Sequence, residues 1–379
     1  MRDRLRPRRR RLASIGSLVA VILFLGTSIA AGAFGTFKPH VDYPTDGFPD
    51  GVVIADFNRD GKKDLAVASL DDTSVSILRG KGHGKFKPHV DYQVTDDASA
   101  LAVGDFDRDG KKDLAVSDMG AIGEVSVLFG KGDATFKPSV ESPVGAFARG
   151  IAVADFDRDG KQDLVVANSD DDNISVLLGK GKGSFKPAVD YPANDLPFAL
   201  TIGDFDRDGK QDVAVTGGGA GQSYASILRG KGDGTLKPKV DYPVGQQSRG
   251  IVAGKFNSDA KLDLAVTNGT DDNVSILLGK ANGTFKPDVG YPVGGFPIGL
   301  ATGDFNRDGK ADLAVTSDDE PIVSTLRGKG DGTFKPANDI TIGARTRAVA
   351  VGKLNRDRGV DLVTANPPTD NASVLLNKP

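Results

Sequence analysis

Cysteine is absent from this 379-residue chain, so no disulfide holds the fold, and thiol catalysis and thiolate metal sites are excluded. Tryptophan is absent too, and histidine occurs only at His40, His83 and His89. Glutamate is confined to Glu124, Glu141 and Glu320, no two of them close in the repeat frame described below. An acid–base catalytic constellation therefore has little to draw on. Beyond residue 33 no segment shows a 3.6-residue apolar period, which argues against packed helices. Positive charge is not in excess either: 48 basic residues face 51 acidic ones, and nothing suggests a nucleic-acid partner.

What the chain does have is glycine, 49 residues of it, and aspartate, which makes up nearly all of the acidic total. The two meet in Asp105-Phe-Asp107-Arg-Asp109-Gly-Lys-Lys-Asp113, with carboxylates at positions one, three, five and nine and glycine at six. Alternating side chains of one tight turn converge on a point, and Gly110 supplies the positive φ that such a turn requires. Four carboxylates converging without a cation would repel one another. Hard oxygen donors of this kind suit Ca²⁺, with a backbone carbonyl and water completing the shell.

The loop recurs with first positions Asp56, Asp105, Asp155, Asp204, Lys255, Asp304 and Lys353, at steps of 49, 50, 49, 51, 49 and 49 residues. A constant period of this size marks a solenoid, a propeller or an array. An EF-hand starts the same way but needs a bidentate Glu at position twelve and a helix after it. Here position twelve is Val67, Val116, Val166, Val215 or Val315, inside runs that read as strand. In the second repeat four strands are predicted, over 100–106, 113–117, 124–129 and 135–140, broken by Gly and Asp turns. Four antiparallel strands per repeat is the unit of a propeller blade. The segment Gly35–Tyr43 resembles an outermost strand with none of its blade before it, and Asn371–Leu376 a third strand with no fourth after it. Joining them closes the ring and removes its exposed edges. The fold expected is all-β: a seven-bladed propeller over residues 34–379, closed by its N-terminal strand.

Residues 1–33 stand apart. Seven arginines within Arg2–Arg11, an apolar run to Leu25 and the small residues Ala31-Gly-Ala33 have the layout of a secretory signal peptide, with a retained membrane anchor as the other reading. Either places the body outside the cytoplasm, secreted, periplasmic or at the cell surface. Cleavage removes seven Arg and one Asp, taking the formal charge from −3 to −9 and leaving a monomer without a membrane segment. Five bound Ca²⁺ would bring it close to neutral, so the acidity serves the loops rather than a basic partner.

These loops, with the Gly-rich turns after the third strand, resemble FG-GAP/VCBS repeats, which build the propeller of integrin alpha-subunit heads. The resemblance covers Gly35 to Pro379 and implies five Ca²⁺ sites. One would use Asp56, Asn58, Asp60 and Asp64 with the carbonyl of Lys62. The second would use Asp105, Asp107, Asp109, Asp113 and Lys111, and the third Asp155, Asp157, Asp159, Asp163 and Lys161. The fourth would take Asp204, Asp206, Asp208, Asp212 and Lys210, and the fifth Asp304, Asn306, Asp308, Asp312 and Lys310. Loops five and seven depart from the pattern: Lys255 and Lys353 come first, and Ala260 and Arg358 replace the glycine. They are expected to hold no metal, the lysine ammonium sitting among the remaining carboxylates in place of the ion.

The Phe after the first ligand reads as core between blades, and Phe-Lys-Pro as outer-strand packing. Opposite the metal loops, the connections that vary most carry Phe48, Phe147, Phe296, Arg149, Arg249, Arg345 and Arg347 toward the channel mouth, with the acidic turns Asp170–Asp172, Asp271-Asp272 and Asp318–Glu320 facing them. Loops on a rigid scaffold are where recognition usually sits. The expected function is an adhesion or ligand-binding module for an extracellular protein or glycan. The alternatives on the same propeller are a lectin and a carbohydrate-active lyase or hydrolase.

Overall fold

The computed structural model describes residues 37–219 and 221–378, so the signal segment expected over 1–33 lies outside the described residues. Seven four-stranded antiparallel sheets follow one another along the chain, and no α-helix occurs among the described residues. Blade two is typical, with strands Ala98–Gly104, Asp113–Asp118, Glu124–Leu128 and Val140–Pro143 in that spatial order. Each second strand, such as Asp113–Asp118, is buried along its whole length, which fits its unbroken Leu/Ala/Val run. The innermost strands touch one another around a closed circle, Val349–Gly352 of blade seven meeting Pro49–Ala55 of blade one.

Closure occurs as expected. Val41–Pro44 is the outermost strand of blade seven, paired antiparallel with Asn371–Leu375 from Val41↔Val374 to Pro44↔Asn371. An edge that would template aggregation is thereby paired.

The core is a set of contacts between neighbouring blades. Phe57, Phe106, Phe156, Phe205, Phe256 and Phe305 are all at most 3% exposed, as core residues should be. Phe57 meets Phe136 edge-on at 5.5 Å, Phe106 meets Phe185 at 5.7 Å, and Phe256 meets Phe334 at 5.5 Å. Phe305 meets Phe37 at 6.1 Å, so the N-terminal segment supplies the same contact to the closing blade. The Phe of Phe-Lys-Pro therefore packs between blades, not on the outer strand. Phe136 sits in an isolated bridge to Gly130, and the fourth strand begins only at Val140, because Pro138 lacks the donor a ladder needs.

Candidate metal loops and the channel mouth

Each loop joins an innermost strand to the second strand of its blade. In loop two Gly110 has φ 79° as expected, and Arg108 at position four also lies in the left-handed region at 61°. The same pair of positive values recurs in loops one, three, four and six. With the chain folded this way, the side chain at position one accepts from the backbone at position six: Gly110 N–H donates to Asp105 Oδ2 at 3.0 Å. Position three accepts from position five, Asp109 N–H donating to Asp107 Oδ1 at 3.1 Å.

The result is convergence of positions one, three and nine. Carboxylate oxygens of Asp105, Asp107 and Asp113 lie within 4.8 Å of one another, as do those of Asp155, Asp157 and Asp163, and of Asp204, Asp206 and Asp212. Three clusters of all-oxygen donors of this kind are compatible with calcium. Asp105 Oδ1 is buried without a hydrogen-bond partner, an orphan lone pair that an ion would satisfy. Loops one and six place Asp56 and Asn58, and Asp304 and Asn306, by the same bonds.

Position five is placed differently. Asp109, Asp159 and Asp208 turn one oxygen to the backbone at position seven and the other to its ammonium. Lys111 Nζ lies 2.5 Å from Asp109, Lys210 Nζ 2.8 Å from Asp208, and Lys161 pairs with Asp159. These hydrogen bonds hold Asp109, Asp159 and Asp208 below the usual carboxylate range. In loops one and six Asp60 faces Lys62 at 3.1 Å and Asp308 faces Lys310 at 4.0 Å.

Position nine does a job that the spacing did not reveal. Asp113 is fully buried and accepts from Phe106 N–H and Gly130 N–H, both at 2.8 Å. The same two bonds recur at Asp64, Asp163, Asp212, Asp263 and Asp312. They recur at Asp361 too, from Leu354 and Asn377. Gly130 is required there, because an added Cβ would lie 2.1 Å from the Lys112 carbonyl. Burial, reinforced by the nearby carboxylates, pushes Asp113, Asp163, Asp212 and Asp312 up to about 6 against these bonds.

Loops five and seven correct one expectation. Lys255 and Lys353 are exposed and form no ion pair with the loop carboxylates, so neither ammonium fills the ion's place. In loop five the cation on Asp259 is Lys261, at 2.8 Å.

On the opposite face the acidic turns are buttresses. Asp171 accepts from Ala146 N–H at 2.8 Å, Asp172 from Leu196 at 2.8 Å, Asp272 from Phe296 at 2.9 Å and Asp370 from Phe48 at 2.9 Å. Phe48, Phe147, Leu196, Gln247 and Phe296 all have φ between 47° and 54°, a strained state for bulky residues that these turns hold in place. Arg149 and Arg347 do reach the channel mouth, where they line a common cavity, and Arg249 lies beside it over the ring of the lining residue Phe198. Arg345 lies outside it, with one nitrogen 3.4 Å from the Asp318 carbonyl.

The FG-GAP-like repeat pattern matches residues 56–116, 105–166, 155–215, 255–315 and 304–364, each span running from one loop through the next. The chain belongs to the FG-GAP-like repeat family. Comparison with curated proteins gives no match. Among solved structures the FG-GAP-like chain is similar to BBS1N, crystallised in complex with ARL6DN and soaked with mercury. The identity is 13% and the TM-score 0.64, covering 90% of this chain and 97% of that one. A lectin of Agrocybe aegerita that recognises non-reducing terminal N-acetylglucosamine is similar at 17% identity and TM-score 0.53, over 87% of this chain and 86% of that one. At these identities the likeness is one of fold.

Proposed function

We propose that the chain is an exported propeller in which five loops bind Ca²⁺ to stabilise the ring while the opposite face binds an extracellular protein or glycan. The observation that carries this reading is the division of labour between faces. Near-identical acidic loops occupy one end of the blades. At the other end the repeats diverge, over turns held rigid by carboxylate buttresses. A constant face serves stability and a varied, preorganised one serves recognition. Calcium would be held by positions one, three and nine in loops one to four and six, with position five joining once its lysine is displaced. The similar structures include a protein crystallised with a protein partner and a lectin, which supports a binding role.

The test is a glycan and protein array probed with the purified chain in calcium and in chelator. Saturable binding without turnover supports the module. Release of product from a polysaccharide would overturn it in favour of a carbohydrate-active enzyme.

A further inference from the structure

One position breaks the uniformity of the blades. The second residue of the innermost strand is Asp50, Ser99, Arg149, Phe198, Arg249 and Ile298 in blades one to six, and Arg347 takes the matching place ahead of blade seven. Six of them line a single cavity of about 230 Å³ at the channel mouth, on the face away from the metal loops, and Arg249 stands at its edge, its guanidinium against the ring of the lining residue Phe198. Pairing with the second strand shifts register at this position in blades one to six, a bulge that re-aims its side chain. The backbone there is pinned by the preceding blade. Ser117 Oγ donates to the Arg149 carbonyl, Thr216 Oγ1 to that of Arg249 at 2.5 Å, and Thr316 Oγ1 to that of Arg347 at 2.7 Å. The three arginines are thus presented from a fixed frame.

Their side chains are held by aromatic faces more than by counter-ions. The guanidinium groups of Arg149 and Arg249 lie 4.8 and 4.7 Å from the Phe198 ring, and that of Arg347 lies 4.9 Å from Phe48. Arg347 also pairs with Asp50 at 3.0 Å, while Ser99 Oγ donates to the other oxygen of Asp50 at 2.8 Å. Among the described residues, Arg149 and Arg249 make no side-chain hydrogen bond or ion pair, and Arg249 Nε is buried without an acceptor. Burial pulls both arginines below their usual range, and for Arg249 repulsion from Arg149 and Arg347 adds to it. Two stacked, partly dehydrated guanidinium groups with unused donors form a fork for a planar anion. Beneath them the floor is apolar, built by Val52, Leu101, Ile251, Leu300 and Val349.

We infer that the channel mouth binds a carboxylate carried on a small apolar body, with Arg149 and Arg249 taking the carboxylate and the floor taking the body. This deepens the binding reading proposed above and rests on it. A hydroxylated sugar acid suits the site less, since the floor offers its hydroxyls few partners. Asp50 is the internal competitor: it neutralises Arg347 and adds negative charge to the rim.

Isothermal titration calorimetry of the purified chain in calcium would use three probes: 4-phenylbutyrate, its uncharged amide, and glucuronate. Phenylbutyrate should bind at one saturable site, and the amide and glucuronate at least about tenfold more weakly. Arg149→Gln and Arg249→Gln should each weaken phenylbutyrate by about tenfold or more. Asp50→Asn should strengthen it, a gain that misfolding cannot mimic. No saturable phenylbutyrate binding, equal binding of the amide, tighter binding of glucuronate, or weaker binding by Asp50→Asn would each overturn the inference. If the array captures a ligand while phenylbutyrate fails to bind, the binding function stands and the carboxylate assignment falls.

Discussion

Loop two (Asp105–Asp113) and loop seven (Lys353–Asp361) occupy equivalent places in the same ring and share an Arg at position four, an Asp at five and the last Asp, but loop seven lacks the first Asp and the glycine at six. Asp113 and Asp361 are both fully buried, and each accepts two backbone N–H groups, one from its own loop and one from beyond the third strand. In loop two the residues before it wind through two left-handed positions and gather three carboxylates within 4.8 Å. In loop seven neither Arg356 nor Arg358 is left-handed, and Lys353 points into solvent. Loop five lies between them, with Ala260 still left-handed at φ 61° and Ser258 not. The repeat thus superimposes two jobs. Position nine pins the blade in all seven repeats, and positions one and three, with their turn, gather the oxygens proposed to hold an ion in five.

Removing the ion should have the largest effect, and it should fall on the five alone. At ~1 mM free calcium and site constants of ~10⁻⁴ M, each site would contribute roughly 1.4 kcal/mol. Five independent sites would then give about 7 kcal/mol, comparable with the stability of a typical domain. Chelation should lower the melting temperature by more than about ten degrees. An unchanged transition would mean that the loops do not bind calcium in a way that folding feels. The effect also has a pH signature. Without the ion, Asp113, Asp163, Asp212 and Asp312 are pushed up to about 6, so the folded chain keeps protons that the unfolded chain releases near 4. Stability in chelator should therefore fall as pH rises from about 4 to about 6. Melting curves that are flat across that window in chelator would contradict the burial argument.

Next comes the shared pin. Asp361→Ala strands the N–H groups of Leu354 and Asn377 and should cost about 3 kcal/mol in denaturant unfolding, equally with calcium and with chelator. Asp357→Ala, four residues earlier and partly exposed, should cost less than about 1 kcal/mol. If Asp361→Ala were as mild as Asp357→Ala, the ninth carboxylate would belong to the ion alone and the two jobs would collapse into one.

The spacing of aspartates made blade number legible, because a turn committed to oxygen donors leaves an unmistakable period, while the apolar runs between the turns and the unmatched end strands Gly35–Tyr43 and Asn371–Leu376 made strand count and closure legible. Burial of Phe57 and its counterparts was legible for the same reason. The second job of Asp113 was not, since its partner Gly130 lies 17 residues away and the bond exists only once the second and third strands have paired. The work of the acidic turns was not legible either. The sequence sets Asp170–Asp172 facing the aromatic and arginine side chains of the mouth, yet Asp171 and Asp172 hold two different connections, the strained turns 145–147 and 195–197. The start of the fourth strand was misjudged because Phe136 has a strand-like neighbourhood, while its ring answers to the next blade.

A smaller effect should appear in ion count. The native chain should carry about five Ca²⁺. Lys255→Asp combined with Ala260→Gly restores the first donor and the glycine of loop five, where Asn257, Asp259 and Asp263 are already in place. Metal analysis should then find about six. A count still at five would show that the turn at Ser258, and not the missing carboxylate, disqualifies the loop.

The smallest effect concerns the lysine at position seven. Lys111 holds Asp109 at 2.5 Å in loop two, and Lys261 holds Asp259 at 2.8 Å in loop five, so the pair itself does not distinguish an ion site from its absence. Both pairs are partly exposed, and such pairs contribute little to stability. In chelator, Lys111→Met and Lys261→Met should each move the melting temperature by less than about 2 degrees. In calcium the two should part. Lys111→Met frees an oxygen of Asp109 for the ion and removes a nearby positive charge, so loop two should bind about two- to fivefold more tightly. Lys261→Met has no ion to help, and calcium should leave its small shift unchanged. Calcium titrations of the two variants, followed by melting, would decide the point. Equal behaviour in calcium would mean that Asp109 stays with Lys111 when the ion is bound, leaving positions one, three and nine to hold it without position five.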